Sequence, residues 1–168
     1  MIIQLLAALI TSFTFAMMFN IRGKQLLVAS FIGMIGGVTL YLFTINGISK
    51  VMALLYASMI ISILAEIAAR IYKSPVTLFL LSALIPLVPG SGMYYTMLNM
   101  VKEDYSMAFT VGINTLFEAS AIVIGSMIIS SIIRIIYYYK KNVLDGYLKW
   151  LLGGCILGQL LVIYRQIH

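Results

Sequence analysis

Two groups of residues in this chain could do chemistry, and both are set in apolar surroundings. The first lies in LIPLVPGSGMYYTMLNM, where Pro86, Pro89, Gly90, Ser91 and Gly92 fall close together. Proline removes an amide N–H and collides with the preceding turn, so a helix cannot run through such a stretch unchanged. A new helix starting after it would aim the free amides of Ser91, Gly92 and Met93 at an anion. Gly90 and Gly92 would let a ligand come close to the backbone, with Tyr94 and Tyr95 lining its path. The second group is in GINTLFEASAIVIG, where Asn114 and Glu118 are four residues apart and share a helical face with Ala121 and Gly125. A carboxylate in an apolar helix is a candidate proton carrier or a holder of ammonium groups.

What must position these groups is a bundle of membrane helices. Of 168 residues, 62% are hydrophobic and 10% charged, and the mean hydropathy is +1.08. A soluble domain has about 25% charged residues, so this much apolar surface calls for lipid. The fold class is all-α, a polytopic helical membrane protein. A crossing helix needs about 20 mainly apolar residues. Five stretches meet that length: 2–19, 25–45, 48–71, 76–101 and 106–137. The fourth divides into two half-helices, neither long enough to cross alone, joined by an unwound stretch from Pro86 to Gly92.

The tail is apolar over 150–164 apart from Gln159, with Gly154 and Gly158 at the spacing of a close helix contact. It reads as a short sixth span or as an interfacial helix. Residues 1–139 are then the main bundle and 140–168 a C-terminal apolar helix. The first segment has no basic residues ahead of it, unlike a cleaved secretory signal. It reads as a retained span with its N-terminus outside. Arg22, Lys24, Arg70, Lys73, Arg134, Lys140 and Lys141 then share one side, against Lys50 and Lys102 on the other. The basic side is cytoplasmic, and Tyr137, Tyr138 and Tyr139 form an interfacial belt beside it.

With the fifth helix starting at Ser106 on the outer side, Glu118 comes twelve residues in, roughly 18 Å deep. That is also the depth of the broken fourth segment. Irregular backbone at such depth survives where it lines a cavity or is buried in protein, as in transporters built on interrupted helices. The alternatives are a plain proline kink repaired by neighbouring helices and a neutral Glu118 bonded across helices for packing. Glu66 precedes Arg70 by one turn and reads as a local ion pair. Ala29, Gly33 and Gly37 form a seam of small residues for a neighbouring helix. The basic residues form no stripe suited to nucleic acid, and the lone Cys155 supports neither a disulfide nor a thiolate metal site. No cofactor is called for.

FAMMFNIRGKQL, ALIPLVPGSGMYYTM and EASAIVIGSMI together resemble the threonine/serine exporter family, specifically the small, membrane-only half of its split form. The resemblance covers most of residues 1–135, and Pro86, Pro89 and Gly90 carry its most specific part. It implies a secondary-active exporter of small carboxylate metabolites in the cytoplasmic membrane, driven by an ion gradient. Threonine and serine are the first expectation, and dicarboxylates of the succinate type the second. It also implies a larger partner subunit that adds helices and a cytoplasmic domain, with a homo-oligomer also open.

Two other classes compete. A membrane-embedded enzyme would need a base near Ser91, and the single histidine is His168. A non-transporting assembly subunit predicts that changes at Ser91 and Asn114 alter abundance and leave selectivity alone. Between amino acid and dicarboxylate, the sequence offers no Arg or Lys that reads as intramembrane. That favours a zwitterion, whose single anionic end asks for fewer cations.

Overall fold

Helices form because the apolar runs must satisfy their own backbone groups, and they stop where residues able to take unusual backbone angles allow the chain to turn. The computed structural model describes the backbone of residues 2–167 and the side chains of residues 5–138. In order it has α1 (Ile2–Met18), α2 (Lys24–Ile45), α3 (Lys50–Tyr72) and α4 (Val76–Leu84). A 3-10 turn (Ile85–Leu87), α5 (Gly90–Val101) and α6 (Tyr105–Ile167) follow. Among the described residues there is no strand. Asn20, Gly23, Gly47 and Lys73 carry positive φ between 51° and 79° in the turns that follow α1, α2 and α3.

The chain divides into two compact units, Met1–Ser130 and Ser131–His168. The second unit consists of the later part of α6, where Tyr137 and Tyr138 are exposed. Tyr139, Lys140, Lys141 and the tail read as a sixth span lie outside the residues whose side chains are described.

Among the described residues three helices are long and apolar enough to cross a membrane: Lys24–Ile45, Lys50–Tyr72 and Tyr105–Tyr138. The pair Val76–Leu87 and Gly90–Val101, bent by 50°, makes a fourth if it is one span. Of the five spans expected from the sequence, the described residues give three or four by length and composition; the expected sixth lies outside those whose side chains are described. The first expected span is the shorter apolar helix Leu5–Met18. It ends where Asn20 takes a positive φ and the Ile21 N–H donates back to Ala16 O at 3.0 Å.

The core of the first unit is made of very small side chains around a few large ones. Ala16, Ala29, Ala57, Ala65 and Ala83 are fully buried with Ile61 and Phe79. Apolar burial gives little drive for helix association in lipid, so close approach and packing decide it. The seam on α2 makes that approach. A Cβ on Gly37 would stand 2.7 Å from Ala8 Cβ, and one on Gly33 2.6 Å from Ser12 Cβ. Gly36 leaves its space to Ile61 and Leu87, so the broken segment crosses the α2–α3 pair near mid-length.

Candidate functional site

The break in the fourth segment is narrower than its sequence suggests. The Val88 N–H donates to Ile85 O at 3.1 Å and the Gly90 N–H turns back to Val88 O at 2.8 Å. From Gly90 the chain is helical again, with Pro89 as N-cap. The unwound part is therefore Val88 and Pro89, and Gly90, Ser91 and Gly92 form the first turn of α5. The Met93 N–H is taken by Pro89 O at 3.3 Å, which leaves Ser91 and Gly92 as the first-turn donors outside the helical ladder.

α5 and the start of α6 form an antiparallel hairpin. A Cβ on Gly92 would stand 3.1 Å from Thr115 Cβ, and one on Gly112 3.2 Å from Thr96 Cγ2. Glu103 turns the chain with φ 62°, and Asp104 Oδ1 accepts the Met107 N–H at 3.1 Å to cap α6. Ser91, Tyr94, Tyr95 and Asn114 are all exposed on this hairpin. The two tyrosines stack edge to face on one another, with ring centroids 5.4 Å apart. An apolar groove of about 420 Å³ runs between Met93, Thr96 and Met100 on one side and Phe109, Gly112 and Leu116 on the other.

Glu118 is held elsewhere. Its Oε2 lies 2.8 Å from Lys50 Nζ, and its side chain is 12% exposed against 48% for Lys50. Two turns further along α6, Gly125 packs against Ser58 and against the carbonyl of Leu55, which a Cβ would approach to 2.8 Å. Contacts that advance together on both helices mean that α3 and α6 run in the same direction here. Glu118 therefore stands beside the first turn of α3, with Ala121 buried one turn on. Thirteen residues of α6, about 20 Å of helix, precede it. Asn114 lies one turn above Glu118, beyond the start of α3, which is why it is exposed.

Lys50 also lines a cavity of about 500 Å³, within the usual range for small-molecule sites. Its walls are Ala7, Ala8 and Thr11 of α1, Gly37, Leu40, Tyr41 and Thr44 of α2, and Ile85 and Pro86 of the 3-10 turn. Of the proline-glycine residues singled out by sequence, Pro86 lines this cavity. Pro89 is buried, and Gly90, Ser91 and Gly92 belong to the hairpin. Lys50, Thr11, Tyr41 and Thr44 are the residues that sequence reasoning missed, and Lys50 is the consequential one. It reads as an outer-side charge at the start of the third stretch, and it is the first residue of α3. A cation there opposes the positive end of the helix dipole, and that mismatch is the signal that could have found it.

The polarity of the walls is specific. The Thr11 hydroxyl donates to Ala7 O at 2.7 Å and the Thr44 hydroxyl to Leu40 O at 2.7 Å. Both donors are spent on the helix, and both oxygens keep lone pairs for a ligand. One turn inward from Ala8, Ser12 is fully buried with no hydrogen-bond partner. The local pair expected near the basic end is present, with Arg70 Nη2 3.6 Å from Glu66 Oε2. Among the described residues no cluster of His, Cys, Asp or Glu could hold a metal ion.

A family model described as Threonine/Serine exporter, ThrE, matches residues 4–132. That stretch takes in the cavity, the broken segment and Glu118. No solved structure matches the chain.

Proposed function

The chain belongs to the threonine/serine exporter family, and from that premise we propose that it is one subunit of a secondary-active exporter of threonine and serine. It is a transport protein, and the reading gives it no bond-making chemistry. The observation that carries the proposal is the cavity bounded by Pro86 of the broken segment and by Lys50, whose ammonium rests on Glu118.

A zwitterion needs hydrogen-bond donors for its carboxylate and acceptors for its ammonium. Lys50 supplies donors, while Thr11 and Thr44 present acceptor oxygens because their own protons are engaged. A dicarboxylate would set its second anionic end against those oxygens, with Lys50 the single cation lining the cavity among the described residues. The balance favours the amino acid.

In this reading Pro86 shapes the cavity, and Pro89 with Gly90 makes the hinge that lets α5 turn away by 50°. Glu118 is the ion-coupling carboxylate. The exposed Ser91, Tyr94, Tyr95 and Asn114 stand on the hairpin, where the amides of Ser91 and Gly92 are open to the substrate or to a larger partner subunit. The site belongs to the cytoplasmic membrane, with the basic loops inside and the N-terminus outside.

The test is metabolite profiling of the medium from cells producing the chain together with its larger partner. Threonine and serine should accumulate outside when both are present. Glu118→Gln should abolish the proton-driven part of that efflux. Selective release of succinate would replace the substrate assignment, and no released metabolite at all would leave an assembly role.

A further inference from the structure

We propose that Lys50 and Glu118 together form a two-ended receptor, and that the substrate enters by inserting between them. Its carboxylate takes Lys50 and its ammonium takes Glu118. The proposal rests on the exporter reading and deepens it, since it names the residues that read the two charges.

Lys50 is poorly explained by its own helix. It opens α3, where Ser49 makes no side-chain cap and the dipole disfavours a cation. Its contact is 68 residues away along the chain, at 2.8 Å. The two partners are also unequal. Glu118 is largely enclosed, at 12% exposure, whereas Lys50 is about half exposed on a flexible four-carbon stem. Opening the pair therefore means swinging Lys50 while Glu118 stays, and Lys50 already lines the cavity.

Insertion is favoured over displacement by charge balance. If a simple carboxylate drew Lys50 away, Glu118 would be left enclosed and unpaired, which is strongly unfavourable. An α-amino acid avoids this because it replaces one ion pair by two. The pair is then both the bolt that joins α3 to α6 when the site is empty and the selector for zwitterions. Monocarboxylates and dicarboxylates each leave Glu118 without a cation.

The experiment measures binding of L-threonine, L-serine, propionate and succinate to the full chain, purified with its larger partner, in lipid nanodiscs. Lys50→Gln, Glu118→Gln and the exchange Lys50→Glu with Glu118→Lys are compared, with the melting temperature of each recorded. The wild type should bind the two amino acids and neither carboxylate probe. Each single change should weaken threonine binding by roughly thirtyfold or more, as loss of one member of an enclosed charge pair does. The exchanged pair should recover the melting temperature and regain threonine to within about tenfold. Unchanged threonine affinity in Lys50→Gln overturns the receptor and leaves the exporter reading standing. An exchanged pair that melts like the wild type yet binds nothing makes the contact a structural bolt, which also overturns it. A wild type that binds none of the probes removes the cavity reading and the receptor together.

Discussion

Gly33→Ala tests whether α1 and α2 are packed as described. The added Cβ meets both atoms of the Ser12 side chain and lies 2.6 Å from Ser12 Cβ. Ala83 Cα, at 3.4 Å, is already at ordinary contact distance. Ser12 Oγ can rotate aside, but Ser12 Cβ is fixed to its backbone. To reach 3.4 Å the helices must part by about 0.8 Å, along a seam whose packing consists of such close approaches. Overpacking of this kind costs about 1–3 kcal/mol, against a gain of about 1 kcal/mol from replacing glycine in a helix. The net expectation is a loss of about 0–2 kcal/mol, toward the upper end because Ser12 Cβ cannot move aside, and so a fall of up to roughly 8 °C in melting temperature at this chain length. Adding Ser12→Gly removes both colliding atoms and the buried hydroxyl that has no partner. The double variant moves a glycine from one helix to the other and should return most of the lost stability. The assay is thermal unfolding of the purified chain in detergent, read as a double-mutant cycle. A Gly33→Ala variant as stable as the wild type, or a double variant no better than Gly33→Ala, would refute the packing.

Ser12→Ala alone should leave stability equal or raise it by about 1 kcal/mol, because a buried hydroxyl without a partner is a desolvation cost; thermal unfolding reads this directly. Gly125→Ala should reduce stability and efflux together, since its Cβ comes to 2.8 Å of the Leu55 carbonyl and pushes α6 away from α3 beside the Lys50–Glu118 pair. Glu66→Gln should change stability by less than about 1 kcal/mol and leave efflux as it was, because its partner Arg70 is about half exposed and the contact is 3.6 Å long.

How far the sequence reaches follows from the range of each signal. The break after Leu84 is local: two prolines three residues apart cannot both sit inside a helix, so it could be read directly. The length of the break could not, because Gly90 and its neighbours are able to start a helix as readily as to prolong a loop. The Ala29–Gly33–Gly37 seam was legible from its spacing, and it meets Ser12 and Ala8 of α1 as a small-residue face should. The Glu66–Arg70 pair was legible for the same reason, since both ends lie on one turn. Glu118 stood out as a carboxylate in an apolar helix, but its partner did not, because 68 residues separate them and no periodicity connects them. Ser91, Tyr94, Tyr95 and Asn114 stand near the break in sequence, but that nearness does not say that the α5–α6 hairpin holds them at its exposed surface.

The reading of Lys50 as an outer-side charge points to a general assumption in reading membrane chains. Charges between apolar runs are assigned to the surface because each run is taken to begin at one face of the bilayer and end at the other. That assumption requires helices of matching length. Here α3 has 23 residues, about 35 Å, while the apolar part of α6 has 34, about 51 Å, against a hydrocarbon core of about 30 Å. When a short helix stands beside a long one, its first residue falls partway along its neighbour. A lysine there has protein on one side of it, and it can meet a carboxylate that sequence position alone would place deep. The inequality of α3 and α6 is thus what makes a charge pair at the cavity possible. Shortening α6 ahead of Glu118 would bring the two helix starts level and open the Lys50–Glu118 pair to water.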